Sequence, residues 1–334
     1  MALAPPRSRL EFDTAIIRAL PLEADCVHAV FDKLWDNDGR SYGKAVGDPN
    51  AYTTGVIENH NVVLAHLPHM GIASASSVAT CLQFSYPNIN LALVVGVCGG
   101  VPYDVQNNTT ILLGDVILSQ ALVQYRFGRQ YPEKFEEKST VEDSIGRPPQ
   151  DIGAILAQLK TRHYLQVMQK NMSIYLRSLQ EKLPEAKYPT SSADRVYPPG
   201  YLHKHHDNHM CEECSRSKKS ICHIAIRMSC DELGCVTPQV DANRPQNTAE
   251  RLPALHFGKM GSGHTVMKSG EECDRIARAD GIIAFEMEGA GVGSHFPSIV
   301  IKGVCDFADS HKNKEWQHYA AATAAAYTKT FLRE

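Results

Sequence analysis

The chain has 334 residues, which as a prior is about two average domains or one large α/β domain. Apolar residues make up 43% and charged residues 21%, a globular balance that excludes a disordered or collagen-like chain. Lys and Arg number 34 against 37 Asp and Glu, a net charge of −3, so no basic excess supports nucleic acid as a partner.

The opening MALAPPRSRLEFDTA has prolines at positions 5 and 6 and no apolar h-region, so it does not read as a secretory signal. The longest apolar run, 91–97, is too short to span a bilayer. The expectation is a soluble cytoplasmic protein with no membrane partner, whose cysteines are free thiols or metal ligands rather than disulfides.

In chain order, 12–20 (FDTAIIRAL) reads as a buried strand stopped by Pro21. Residues 22–35 carry a helical spacing of Leu22, Cys26, Val30 and Leu34. Residues 52–57 and 61–66 read as a hairpin, and 71–84, rich in alanine and serine, as a helix. The run 91–97 (LALVVGV) is the expected central strand, covered on both faces. Residues 114–119 and 298–304 are further strands; 151–183 is helical, and 281–295 and 315–332 are helical at least in part. This alternation predicts an α/β fold: a single domain, 1–334, with a central mixed β-sheet flanked by helices. Between 184 and 255 the period is lost, and that stretch reads as a Cys/His-rich insertion within the domain.

Open α/β sheets bind ligands at the carboxyl ends of their strands. Acidic residues fall there repeatedly: Glu23 after the first strand, Glu286 and Glu288 in FEMEG, and Asp306 and Asp309 in CDFAD. The alternative is that they cap helices, which is favoured for Asp309. Gly96-Val97-Cys98-Gly99-Gly100 follows the central strand as a ligand-approach loop or a plain tight turn. It matches neither G-x-G-x-x-G nor G-x-x-x-x-G-K-[ST].

The Cys/His stretch holds Cys211, Cys214, Cys222, Cys230 and Cys235 with His203, His205, His206, His209 and His223. Cys211-x-x-Cys214 has the spacing to grip one tetrahedral zinc from a turn, with further ligands from His203, His205, His206, His209, Cys222 or His223. A structural zinc would substitute for a missing local core. A disulfide and unconnected thiols are the alternatives.

IIRALPLEA, MGIASAS, VVGVCGG, LGDVILS, FEMEGAGV and IKGVCDFAD occur in the order seen in the purine nucleoside phosphorylase and nucleosidase superfamily. The chain most resembles its fungal nucleosidase-like branch, over roughly 12–130 and 256–332, with HFGKMGSGHTVMKSG also similar to a segment of that branch. The resemblance implies a nucleoside phosphorylase-like fold, a purine nucleoside or nucleotide as small-molecule partner, a homo-oligomer such as a dimer, and no cofactor for catalysis. It makes Asp306 the acid that protonates purine N7, worth roughly 10²–10⁴-fold, and Glu288 the ligand of the ribose hydroxyls. Met287 would pack on the sugar. Val266 and Met267 would meet the base, and Val97, Cys98 and Gly99 would line the pocket. Glu286, Cys305 and His264 join the substrate-binding set by their place in these motifs. His264 and Val266 depart from the residues usual there, which leaves the role of His264 and the stacking partner of the base open.

Glu23 decides the reaction class. The phosphorylases that this segment resembles carry an arginine there to hold phosphate, and the hydrolytic members a glutamate that holds water. A carboxylate repels phosphate and accepts a proton from water. The expected activity is hydrolysis of purine ribonucleosides (adenosine, inosine or guanosine) to base and ribose. The alternatives are hydrolysis of AMP or ATP, with Arg126, Arg129 or Lys204 near the 5′ end, a phosphate-dependent phosphorylase, and a catalytically weak interaction module.

Overall fold

The computed structural model describes residues 4–133, 135–137, 149–189, 194–206, 211–217, 219–236 and 251–334. Strand β1 (Thr14–Arg18), helix α1 (Pro21–Val30), strand β2 (Lys33–Leu34) and the hairpin β3 (Ala51–Ile57) and β4 (His60–His66) form the first part. Helix α2 (Ile72–Ser85) leads into β5 (Leu91–Gly100), a small ribbon β6 (Tyr103–Asp104) and β7 (Thr109–Thr110), then β8 (Val116–Gln124). A second ribbon, β9 (Gly128–Gln130) and β10 (Phe135–Glu137), precedes helices α3 (Gln150–Leu159) and α4 (Arg162–Lys182). After a short α5 (Glu212–Arg216) come β11 (Leu255–Ser262), α6 (Gly270–Asp280), β12 (Ile282–Glu286), α7 (Gly289–Gly293), β13 (Ser298–Asp306) and α8 (Gln317–Arg333).

Nine strands make one mixed sheet in the order β12-β11-β8-β13-β5-β1-β4-β3-β2, and β12 also pairs with β5. That extra pairing closes β5, β12, β11, β8 and β13 into a barrel, and β1 to β4 extend from it as an open wing. The expected α/β domain with a central mixed sheet flanked by helices is what the chain forms.

Closure explains the glycines after the central strand. The segment 96–100 is neither loop nor turn: β5 runs through it, with Gly99 opposite Phe285 and Gly100 opposite Ala284. A Cβ on Gly100 would stand 2.7 Å from Val304 Cγ1, so this glycine also leaves room for the side chain of β13. The partner strand is nearly two hundred residues away, which is why a local reading sees only a turn.

Other boundaries shift for similar reasons. The first helix ends at Val30, because Lys33 and Leu34 pair with β3 at the sheet edge. The 151–183 helix is two helices, broken at extended Thr161. Strand β11 has no apolar run (LHFGKMGS), and it is held between β8 and β12 instead. Helix α8 is buried almost all round, and its buried Thr323, Thr328 and Thr330 satisfy their hydroxyls by donating to Ala320 O, Ala324 O and Ala326 O of the same helix. It packs so closely on β13 that a Cβ on Gly303 would meet Ala320 O at 1.9 Å. Among the described residues no helix is long and apolar enough to cross a membrane.

Candidate active site

The carboxyl end of β5 is where the acidic residues meet. Glu23 sits in the first turn of α1, after Pro21, and is 2% exposed. Its Oε2 accepts from Leu20 N at 2.7 Å and Ala19 N at 3.0 Å, so the helix-capping alternative is realised on this oxygen. Its Oε1 reaches across to accept from Val97 N at 2.9 Å. That reach needs Gly96, where a Cβ would stand 2.0 Å from Oε1. Burial pushes the Glu23 carboxyl above the usual range; Lys302 opposes that rise and Glu288 adds to it.

Glu288 follows β12. Its Oε1 accepts from Gly71 N at 3.2 Å, and its Oε2 lies 3.0 Å from Lys302 Nζ. Gly71 caps α2 at φ +113°, a conformation that suits glycine. Glu286 Oε2 accepts from Glu288 N and Gly289 N at 2.9 and 2.8 Å, and so fixes the turn that presents Glu288. Burial pushes Glu286 upward as well.

Lys302 was not singled out from the sequence. It lies on β13 opposite Gly96 and is 1% exposed. Burial alone would lower its pKa, but Glu288, Glu23 and Glu286 together push it well above the ordinary lysine value. One ammonium thus sits among three carboxyl groups. The signal in the sequence was a lone lysine inside the otherwise apolar SIVIKGVC.

Asp306 ends β13. A register shift between Val304 and Asp306 bulges the strand at Cys305 and re-aims the following side chain. Asp306 Oδ1 accepts from Ala308 N at 2.9 Å, and Oδ2 lies 2.7 Å from Lys312 Nζ. Ala308 takes φ +55°, the left-handed region uncommon for a residue with a Cβ. Gly99 clears the way: a Cβ there would stand 2.9 Å from Asp306 Oδ1. Lys312 is the second cation that the sequence reading missed.

Cys98 and Cys305 are buried beside this end, and Cys305 Sγ donates to Cys98 O at 3.5 Å. Burial pushes both thiols up, so they stay protonated and line the site without acting as nucleophiles. Val97 and Met287 are half-buried. In the 264–267 segment His264 and Val266 are exposed, whereas Met267 is buried in a cluster with Tyr125, Phe285 and Ala308. Tyr125, also unforeseen, donates its hydroxyl to Thr265 O at 2.8 Å and meets Phe285 edge-on at 5.3 Å. Asp309 turns to His311, accepting from its N at 2.9 Å. Cys211 and Cys214 belong to a separate cluster around Tyr197 and Leu233.

The residues gathered here can do three things. Glu288 can bind hydroxyls, Glu23 can hold and deprotonate a water, and Asp306 can exchange a proton. Around Lys302 the carboxyl groups of Glu23, Glu286 and Glu288 outnumber the one ammonium, surroundings suited to a developing cation.

The same architecture occurs in solved nucleosidases. The 5′-methylthioadenosine/S-adenosylhomocysteine nucleosidase of S. pneumoniae with the transition-state inhibitor MT-ImmA matches at a TM-score of 0.56 and 15% identity, covering 96% of this chain and 99% of that one. The Neisseria meningitidis nucleosidase in complex with methylthio-immucillin-A matches at 0.54 and 14%, covering 96% and 98%. The futalosine hydrolase of Helicobacter pylori matches at 0.53 and 15%, covering 97% and 99%. The chain has the nucleoside phosphorylase-like fold.

No family model matches the sequence. A nucleotide-binding leucine-rich repeat (NLR)-like protein of Hyaloscypha variabilis is 29% identical over 330 residues, or 96% of this chain. The chain spans 29% of that protein's length.

Proposed function

We propose that the chain is a purine nucleosidase, hydrolysing the N-glycosidic bond of adenosine, inosine or guanosine to free base and ribose. The observation that carries this reading is Glu23: a buried carboxylate fixed by three backbone N–H groups, where a phosphorylase would need a cation for phosphate. The fold shared with solved nucleosidases supports it.

In the reaction, the ribose hydroxyls bind Glu288, held in place by Lys302 and Gly71 N. The bond from C1′ to the base nitrogen breaks, its electron pair leaves with the purine, and Asp306, which enters the step as the protonated acid, delivers its proton to N7. The sugar becomes oxocarbenium-like, favoured by the carboxyl groups around Lys302. A water on Glu23 gives its oxygen to C1′ and its proton to the carboxylate. The raised position of Glu23 makes it a stronger base than an exposed glutamate. No cofactor enters this scheme.

Among the cations considered for a 5′-phosphate, Lys204 donates to Cys214 O and Ser217 O at 2.9 and 3.1 Å, and Arg126 lies 3.8 Å from Glu272. A neutral nucleoside needs neither of them, so the nucleoside is placed before AMP or ATP. Base release from adenosine, inosine, guanosine, AMP and ATP, with and without phosphate, tests the reading. Nucleoside hydrolysis independent of phosphate is expected. A strong preference for a triphosphate, or a strict need for phosphate, would overturn it.

The NLR-like relative favours a second reading, in which the domain serves as a regulatory or interaction module. No base release from any of these substrates would favour that reading. A homodimer is the assembly we expect, and sedimentation of the purified chain tests it.

A further inference from the structure

The stretch 194–236 has little apolar core of its own. Three of its six buried cluster residues are cysteines: Cys214, Cys222 and Cys235. Yet six of its described Cys and His side chains, with His311 from the loop after β13, do not scatter over the surface. They gather into two groups whose ligand atoms lie within 4.8 Å of one another, the first His205, Cys211, Cys214 and Cys222, the second His203, Cys235 and His311.

The first group has a complete tetrahedral donor set, one imidazole and three thiols. His205 Nδ1 lies 3.6 Å from both Cys214 Sγ and Cys222 Sγ. Bonds of about 2.3 Å to sulfur and 2.0–2.1 Å to nitrogen, meeting at a tetrahedral angle, place N and S about 3.6 Å apart.

Cys230 stands beside the second group, outside that 4.8 Å set, with its Sγ 3.5 Å from His203 Nδ1; Cys235 Sγ lies 3.8 Å from the same atom. Both imidazoles are oriented from behind. His203 Nε2 donates to Met228 O at 3.0 Å, which leaves the Nδ1 lone pair toward the sulfurs. His311 Nδ1 faces Asp309 Oδ2 at 3.3 Å, and its Nε2 is buried with no hydrogen-bond partner among the described residues. His311 is 7% exposed, so an orphaned Nε2 there is costly unless something accepts its lone pair. Backing of the free ring nitrogen by a carboxylate or carbonyl is the usual arrangement around a metal-bound histidine.

We infer that 194–236 is a two-zinc module, with one ion on His205, Cys211, Cys214 and Cys222 and a second on His203, Cys230, Cys235 and His311. Thiolate-rich four-donor sets select zinc over the hard cations. His206 and His223 stay outside both sites: His206 Nε2 donates to Leu202 O at 3.0 Å and the ring stacks on Tyr201, and His223 is exposed. His209 lies outside the described residues. The second ion takes one ligand from the loop after β13, so it pins the module to that loop. His203 N, donating to Ser310 Oγ at 2.9 Å, and Tyr197, stacked on His311 at 3.6 Å, make the same connection. The neighbour of His311 is Lys312, the partner of Asp306. On the nucleosidase reading, the second metal therefore braces the acid side of the active site.

The test is the metal content of the full chain purified without chelator, with an intact mass taken in parallel. Two zinc equivalents per chain are expected. His311→Ala should retain one, and His311→Cys, which restores a donor, should retain two. Cys214→Ser should lose the first site and keep the second. A folded chain with no zinc, or a mass short by two hydrogens for each cysteine pair, would overturn the proposal. One equivalent that His311→Ala leaves untouched and Cys214→Ser removes would overturn the second site. These readouts do not depend on any nucleoside activity.

Discussion

Lys302 and Glu288 form an ion pair of 3.0 Å in which both side chains are almost wholly removed from solvent. A buried pair contributes little over an apolar pair of the same shape, but breaking it strands a charge. Lys302→Met is therefore expected to lower unfolding free energy by about 3–5 kcal/mol. The double variant Lys302→Met with Glu288→Gln should be less destabilised than the sum of the two singles, because the shared penalty is removed once. Denaturant unfolding of the four proteins checks this; strict additivity would mean that the pair is not coupled.

The pH profile follows from Glu23. Hydrolysis needs it ionised, and burial places it above the ordinary glutamate value of about 4.3. The rate should then fall as pH drops through that raised value, so the acid limb of kcat/KM lies above the range of an exposed glutamate. Lys302 opposes the rise, so Lys302→Met should move the limb to still higher pH. A downward shift would contradict the assignment of Glu23 as base.

Gly96→Ala tests the close approach of Glu23 to β5. The added methyl would stand 2.0 Å from Glu23 Oε1, so the carboxylate must leave Val97 N. Overpacking of this kind costs about 1–3 kcal/mol in stability. The loss in kcat/KM should be larger than that destabilisation alone explains, measured at a temperature where the variant is fully folded.

Strand-end carboxylates were legible because a sheet that binds at its carboxyl edge needs ionisable groups there, and Glu23, Glu288 and Asp306 all lie at that edge. Lys302 was not, because its burial depends on Glu288 and Glu23, which lie on other elements. The glycines 99–100 read as a loop because the strand that pairs with them comes from β12. Of the eight proposed metal donors, only Cys211-x-x-Cys214 carries a local signal. His311 sits among active-site residues and joins the others only through the fold.

If the second zinc braces the loop after β13, its loss should reach the reaction. His311→Ala is expected to lower kcat/KM by about tenfold, the cost of a misplaced acid. Cys214→Ser, which touches no loop of the active site, should change it much less. Equal effects of the two would indicate general destabilisation instead of a positioning role.

The central claim is that water, not phosphate, accepts the ribosyl group under control of Glu23 and Asp306. Its most direct test is the identity of the sugar released from a purine nucleoside in the presence of phosphate, by the wild type and by Asp306→Asn. Free ribose is expected from the wild type, with a rate roughly 10²–10⁴-fold lower in the variant. Ribose 1-phosphate as the product, or an undiminished rate in Asp306→Asn, would contradict the account.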